Sequence, residues 1–304
     1  MIDTESLQKY RAVLTPRQQA TAPHLVAVPC SRFTFDELAA IYNDTRVDYI
    51  VPMPMNGRRM QEYVRDYDIN LDDSVVVSDG SKIPLGIGML GYRQDRAWIT
   101  RLGIRPDQRG RHLGSFLMET LLDRARRHHT RRVQLEVIKG NDPAYNLFIK
   151  FGFEPVRELL ILNRPPTKPD VETHPPFPIE TLSSEDARRF LQAPLSGIAG
   201  WVDEPASLLN GSDLAGFQAS DQGDTKGWFV FCKTRFQVSH FVYHLDPGCS
   251  HELMVAFLEM LHRTHSALDA KYENIPADSP CLPAFESAGY IEIFRRIEMK
   301  LALD

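Results

Sequence analysis

The chain has no run of about 18 or more apolar residues, the length a membrane-spanning helix needs, so no such helix is expected. Its four cysteines, Cys30, Cys232, Cys249 and Cys281, are scattered and form no Cys-x-x-Cys pair. That argues against a disulfide scaffold or a zinc module and reads as reduced, structural thiols. Basic residues are not in excess: 35 Lys and Arg stand against 40 Asp and Glu, a net charge of −5. A dedicated nucleic-acid binder is usually strongly basic, so nucleic acid is not an expected partner. Residues 1–11, MIDTESLQKYR, lack a basic start followed by an apolar stretch, so no secretory signal is expected and the chain reads as cytoplasmic. His262 and His265 lie one helical turn apart with no His-Glu-x-x-His pattern or cysteine beside them, so no metal is expected.

What is present is ordinary globular material. Hydrophobic residues make up 43% and aromatic ones 10% of 304 residues, enough for two domains with cores of their own. The clearest break is the proline-rich stretch PPTKPDVETHPPFP, which can hold neither a helix nor a central strand. Before it, strand and helix signals run in the order β-α-α-β-β-β-α-β-α-β. LVAVPC is the first strand, Thr34 caps the first helix, and Gly152 ends the last. This is a mixed α/β layer about a central sheet.

The back half repeats the end of that order. Setting Gly152-Phe153 on Gly289-Tyr290 brings Phe148 onto Phe285, Glu136 onto Glu273, and Leu117 and Leu121 onto Met254 and Leu258, all without a gap. This points to a diverged duplication. The back half's equivalent of Pro106, Pro247, needs a different offset, so its turn is four residues shorter, and LDPGCSH carries no arginine.

The segment ITRLGIRPDQRGRHLGSFLMETLL reads as a strand, a basic turn and the start of a helix. Amides from Arg109 to Gly114 converge on a helix N-terminus, Gly110 and Gly114 allow close backbone approach, and Arg109 and Arg111 add charge. Such a turn suits a diphosphate; the alternative is a solvated basic loop. His112 raises a specific question, because a left-handed backbone there strains a side chain. Either Gly110 takes the special conformation instead, or His112 itself donates to a phosphate.

Together with LEVIKGNDPAYNLFIKFGF, one helix later, this segment resembles the GNAT superfamily of acyl-CoA N-acyltransferases. The family's Arg/Gln-x-x-Gly-x-Gly/Ala signature appears as Arg109 to Gly114. Its second signature appears as Leu135-Glu136-Val137, Asn141, Ala144, Leu147-Phe148 and Gly152-Phe153, in a spacing like that of the branch acetylating protein N-termini. The resemblance covers roughly Leu25 to Asn163. It implies two tandem GNAT-like domains in an α/β (α+β) fold, each a mixed, mostly antiparallel central sheet flanked by helices. Residues 1–165 would form the acyl-CoA domain, 166–178 the linker, and 179–304 a degenerate domain without a phosphate-binding loop. It further implies acetyl-CoA as co-substrate, held by Leu102, Gly103 and Ile104 of the strand, by Arg109, Gly110, Arg111, His112, Leu113, Gly114 and Ser115 of the turn, and by Asn141, Ala144 and Phe148 beside the thioester arm.

Glu136 is the candidate general base, since a carboxylate on an otherwise apolar central strand is costly unless paired or used. Its alternative is a structural salt bridge. Phe148 stands where many family members place a tyrosine acid, and Tyr145, three residues earlier, is the candidate replacement; packing alone would equally explain it. The oxyanion is assigned to a backbone N–H near Ile104. Tyr49, Met53 and Met55 are candidate acceptor-site residues, although methionines and aromatics also fill cores. The expected activity is acyl transfer, acetyl-CoA to a primary amine of a small molecule or peptide, directly within a ternary complex. An idle acyl-CoA sensor is the alternative, and a purely structural pseudo-enzyme a third reading. Net acidity slightly favours cationic amines by steering. The second half is expected to shape the acceptor pocket, with its strands FVFC and FVYHL joining the front sheet or another chain. The assembly is then a monomer of pseudo-dimeric halves, or a homodimer.

Overall fold

The computed structural model describes residues 25–80, 83–168, 174–193, 200–211, 213–247 and 250–303. The first half supplies β1 (Val26–Pro29), α1 (Phe35–Asp44), α2 (Gly57–Asp66), β2 (Ile69–Ser78), β3 (Pro84–Arg93), β4 (Arg96–Ile104), α3 (Leu113–Arg127), β5 (Arg132–Ile138), α4 (Asp142–Lys150) and β6 (Glu154–Arg164). Local chemistry fixes the boundaries. Thr34 and Glu37 form a reciprocal capping box at α1, Asn56 Oδ1 accepts from the Arg59 N–H at α2, and Gly152, at φ +87°, ends α4. Helix α3 buries Leu117, Met118, Leu121 and Leu122 against Val133, Leu135 and Val137 of β5.

The second half contains β7 (Ile179–Leu182), α5 (Ser184–Gln192), α6 (Pro205–Asn210), β8 (Leu214–Asp221), β9 (Asp224–Lys233), β10 (Gln237–Leu245), α7 (Ser250–Thr264), β11 (Asp269–Pro276), α8 (Leu282–Ser287) and β12 (Ile291–Ala302). The elements from β7 to β8 had no counterpart in the sequence reading, although Ser183, whose Oγ accepts from the Asp186 N–H, is a recognisable cap. Helices α3 and α7 differ by 137 positions at both ends, as do the starts of β5 and β11 and of β6 and β12. The duplication is therefore in register across all of these elements. The segment joining β10 to α7 is 246–249, against 105–112 for β4 to α3. Residues 248 and 249, Cys249 included, lie outside the described residues, as do 169–173 of the proline-rich stretch; 165–168 and 174–178 hold neither helix nor strand.

The twelve strands of the described residues join one sheet, in the order β1-β2-β3-β4-β5-β12-β6-β11-β10-β9-β8-β7. The halves have exchanged their last strands. β12 lies between β5 and β6, running antiparallel to both, from Arg296 opposite Ile138 to Ala302 opposite Arg132 and from Ile291 opposite Asn163 to Lys300 opposite Glu154. In turn β6 lies between β12 and β11. This corrects one expectation: FVFC and FVYHL, in β9 and β10, pair within their own half, and it is β6, β11 and β12 that join the halves. FVYHL pairs with β9 along one edge, and the β10–β11 pairing ends at Ser239, just before it.

A second junction is the 3₁₀ turn Trp201–Asp203. Trp201, fully buried, stacks on Trp98 with centroids 5.7 Å apart, lies 4.4 Å under the Arg93 guanidinium, and donates through Nε1 to the Tyr67 carbonyl at 3.0 Å. Arg93 also donates to the Trp201 carbonyl and to Asp68. Arg96 holds Glu204 through two bonds of 2.7 and 2.9 Å. A large aromatic buried this way typically contributes about 3–5 kcal/mol. No described helix is long and apolar enough to cross a membrane.

Candidate active site

The site begins where two parallel strands part. β4 pairs with β5 only from Arg96–Arg132 to Trp98–Gln134, after which the strands diverge. Beyond Trp98, β4 has a β-bulge against β3, and Arg101 within it adopts φ +51°. Bulges re-aim side chains and recur beside functional sites. The gap opens into a cavity of 390 Å³.

Glu136 lines that cavity, while Leu135 and Val137 are buried in the core, as strand alternation requires. Trp98 Nε1–H donates to Glu136 Oε2 at 2.7 Å; Oε1 is buried without a partner. Burial pushes the carboxyl up to about 7, with the Glu298 charge adding to it, against the opposing Trp98 bond and the Arg296 and Arg157 charges. The alternative of a structural salt bridge does not hold at this residue, since no cation lies within ion-pair distance among the described residues. A carboxylate oxygen that is buried, unpaired and near neutrality in its pKa is suited to take a proton.

The phosphate-type turn sits at the other end of β4. Gly110 takes the left-handed conformation at φ +77°, but His112 takes it too, at φ +63°, so the turn does not spare the histidine as one reading expected. A Cβ on Gly110 would touch nothing within 4 Å, so its glycine is required by backbone conformation alone. Gly114 has a different role, since a Cβ there would lie 3.2 Å from Leu147 and crowd α3 against α4. His112 provides no side-chain cap, whereas Thr34, Asn56, Asn141 and Ser183 cap their helices. The first N–H groups of α3 thus keep free hydrogen-bonding capacity. Arg109 is turned toward Asp48, with bonds of 2.7 and 2.9 Å, and also donates to the Thr45 and Ile104 carbonyls; it fastens the turn to the α1–α2 connection. Arg111 is exposed and donates to Gln108, Leu113 is a core residue, and Ser115 is half-buried in the first turn of α3.

Of the other candidates, Tyr49, Met53, Met55, Leu102, Asn141, Ala144 and Phe148 line the cavity. Gly103 and Ile104 lie just beyond, paired with Ile87 and Gly86 of β3. Asn141 caps α4 through the Ala144 N–H and donates to the Tyr49 hydroxyl at 3.3 Å. Tyr145 is not brought to the cavity; it packs against the front core. Phe148 is buried in the cavity wall beside Phe153, with no hydroxyl to offer.

The second half was expected to shape the pocket, but sequence reasoning named none of its wall residues: Val202, Lys271, Glu273 and Arg296 line the cavity. Glu273 occupies the position equivalent to Glu136, on a strand whose parallel pairing with β10 likewise stops after three residues. Burial pushes its carboxyl up, but Lys271 at 2.7 Å and Arg296 at 3.2 Å outweigh that and hold it well below the usual range. The two halves thus carry one free and one neutralised carboxylate. Arg101 and Tyr63 were also missed, since no residue pattern marks either as lining the cavity.

Residues 38–153 match the family model described as the acetyltransferase (GNAT) family. This half is a GNAT-family domain. A Bacillus subtilis (strain 168) protein, provisionally named as a ribosomal protein bS18 alanine N-acetyltransferase, is 39% identical over 61 residues, which is 20% of this chain and 40% of that protein. Among solved structures, a GCN5-related N-acetyltransferase from Sphaerobacter thermophilus superposes with a TM-score of 0.67 at 16% identity, over 93% of this chain and 97% of that one. A tandem GNAT protein from the clavulanic acid biosynthesis pathway gives 0.66 at 14% identity, over 91% and 98%. At those identities the likeness establishes the shared fold: two GNAT-like units along the whole chain.

Proposed function

We propose that the chain transfers an acetyl group from acetyl-CoA to a primary amine, directly and within a ternary complex. The observation that carries this reading is Glu136 Oε1, a buried carboxylate oxygen without a partner facing the cavity at the β4–β5 divergence. The uncapped start of α3 and the left-handed Gly110 and His112 suit the coenzyme's pyrophosphate, which needs converging N–H donors. The β4 edge freed beyond Trp98 then offers backbone groups to the pantetheine arm, with Asn141, Ala144 and Phe148 alongside.

In this reading Glu136 takes the proton as the amine nitrogen attacks the thioester carbon. The carbonyl oxygen gains charge beside the free β4 amides, and the C–S bond breaks to release thiolate. A thiol has a pKa of about 8.5, so the thiolate leaves near neutrality with little need of an acid. That accommodates Phe148 and the position of Tyr145 away from the cavity. The same two residues favour the second reading, a coenzyme sensor without turnover.

The second half, 179–304, is proposed as a degenerate unit that binds no coenzyme and walls the acceptor side, joined through the 166–178 stretch. Its turn at 246–249 is shorter and its carboxylate is neutralised. The exchanged strands form an internal pseudo-dimer, which favours a monomer. Calorimetric titration with acetyl-CoA is expected to give one site per chain. Thiol release across a panel of amines separates transferase from sensor, and Glu136→Gln is expected to slow release by about 10²-fold or more. Coenzyme binding without release for any amine supports the sensor.

A further inference from the structure

Three arginines, Arg46, Arg59 and Arg101, line the same cavity, and none has a carboxylate within ion-pair distance among the described residues. Lys271 and Arg296 are already engaged by Glu273. Arg101 is the most informative of the three. Its Nη1 donates to the Tyr42 hydroxyl at 2.7 Å, its Nε is buried without a partner, and its backbone sits in the left-handed region. Arg46 likewise has a buried Nε without a partner, its guanidinium 3.8 Å from the Tyr49 ring. A buried guanidinium N–H without a partner and a strained backbone are both costly, and such costs collect at ligand sites.

Arg101 and Glu136 stand at two ends of one aromatic panel. The guanidinium lies 4.1 Å from the Tyr63 ring, Tyr63 lies 6.1 Å from Trp98, and Trp98 bonds Glu136. We infer that the cavity recognises an amine that also carries an anionic group, a carboxylate or a phosphate, with Arg101 holding the anion, Arg46 beside it, and the amine meeting Glu136. A planar guanidinium fork matches either anion. The inference rests on the acetyl-transfer reading for the role of the amine. It runs against the steering expected from the chain's net charge, because charges inside the cavity outweigh those beyond a Debye length of about 8 Å.

Matched pairs test it: an amino acid against its decarboxylated amine, and an aminoalkyl phosphate against the amino alcohol. Each is measured by CoA release and by calorimetric binding to the CoA-loaded protein. The anionic member is expected to have the lower KM or Kd by about 10–100-fold, and the better of the two anionic arms identifies the group. Arg101→Gln is expected to remove most of that preference, and Arg101→Lys to keep part of it. Should Arg101→Gln fail to fold by thermal melting, Tyr42→Phe, which keeps the charge but loses its orienting bond, carries the test with a smaller, several-fold loss of preference. Equal binding within each pair overturns the inference, as does an Arg101 variant that weakens acetyl-CoA by the same factor as the acceptor. Release without anion preference leaves acetyl transfer standing and removes this inference. Arg101-dependent anion binding without release does the reverse.

Discussion

Glu298 of β12 stands directly across the ladder from Glu136 of β5. Side chains so opposed share a face of the sheet, and like charges there repel. Glu298 is fully buried and held by Arg157 at 2.8 Å, and its charge adds to burial in raising the Glu136 pKa. The exchanged strand from the second half therefore tunes the carboxylate of the first.

Glu298→Gln removes that charge and leaves Arg157 freer to act on Glu136. The Glu136 proton is then lost more easily, and the acid limb of kcat/KM is expected to move down by roughly half to one pH unit. A pH–rate profile of the variant reads the shift directly, and urea titration is expected to show a stability loss of about 1–3 kcal/mol from the unpaired arginine.

Glu136 should also cost the fold stability above neutral pH. Its folded pKa of about 7 lies above the ordinary 4.5, so the native state binds the extra proton. The favourable contribution is complete below 4.5 and is lost as pH rises through 7. Glu136→Gln is expected to be more stable than the parent at pH 8 by about 1–3 kcal/mol, with the gap closing toward pH 5, in denaturant titrations at both values.

The left-handed backbone at His112 predicts a stabilising substitution. His112→Gly removes a Cβ from a conformation that glycine adopts freely, and is expected to gain about 1 kcal/mol. Differential scanning calorimetry reads this as a higher melting temperature, and acetyl-CoA affinity is expected to stay unchanged.

Strand exchange predicts one cooperative unit. With β12 between β5 and β6, and Trp201 seated on Trp98, neither half has a complete sheet without the other. Calorimetry of the full chain should show one unfolding transition, not two. Trp201→Ala, which empties the shared core, is expected to lower its stability by about 3–5 kcal/mol.

Much of this was legible in the sequence because it is local. Thr34 and Gly152 mark helix ends, and Leu135-Glu136-Val137 shows a carboxylate on an apolar strand. The turn signature also raised the question of a left-handed backbone at His112, though not that Gly110 and His112 would both adopt it. The duplication was visible in Gly152 and Gly289 at a constant spacing. What could not be read was pairing between distant strands: the residues of β6 and β12 fit either neighbour equally well, and nothing in them marks an exchange. Trp201 is invisible for the same reason, since its partners Trp98 and Arg93 are remote in sequence. The bulge that turns Arg101 into the cavity depends on register with β3, not on any residue pattern. Glu273 is neutralised first by Lys271, two residues away on its own strand, and then by Arg296 of β12, whose approach no local pattern marks.

The most direct test of the account is the pH dependence of acetyl-CoA-dependent thiol release with the best acceptor amine, for the parent chain and Glu136→Gln. Glu136 must be unprotonated to accept the amine proton, so kcat/KM should fall below an apparent pKa near 7 in the parent. In the variant that limb should vanish, along with about 10²-fold or more of the rate. A variant that keeps both the rate and the acid limb contradicts the assignment of Glu136 as the base.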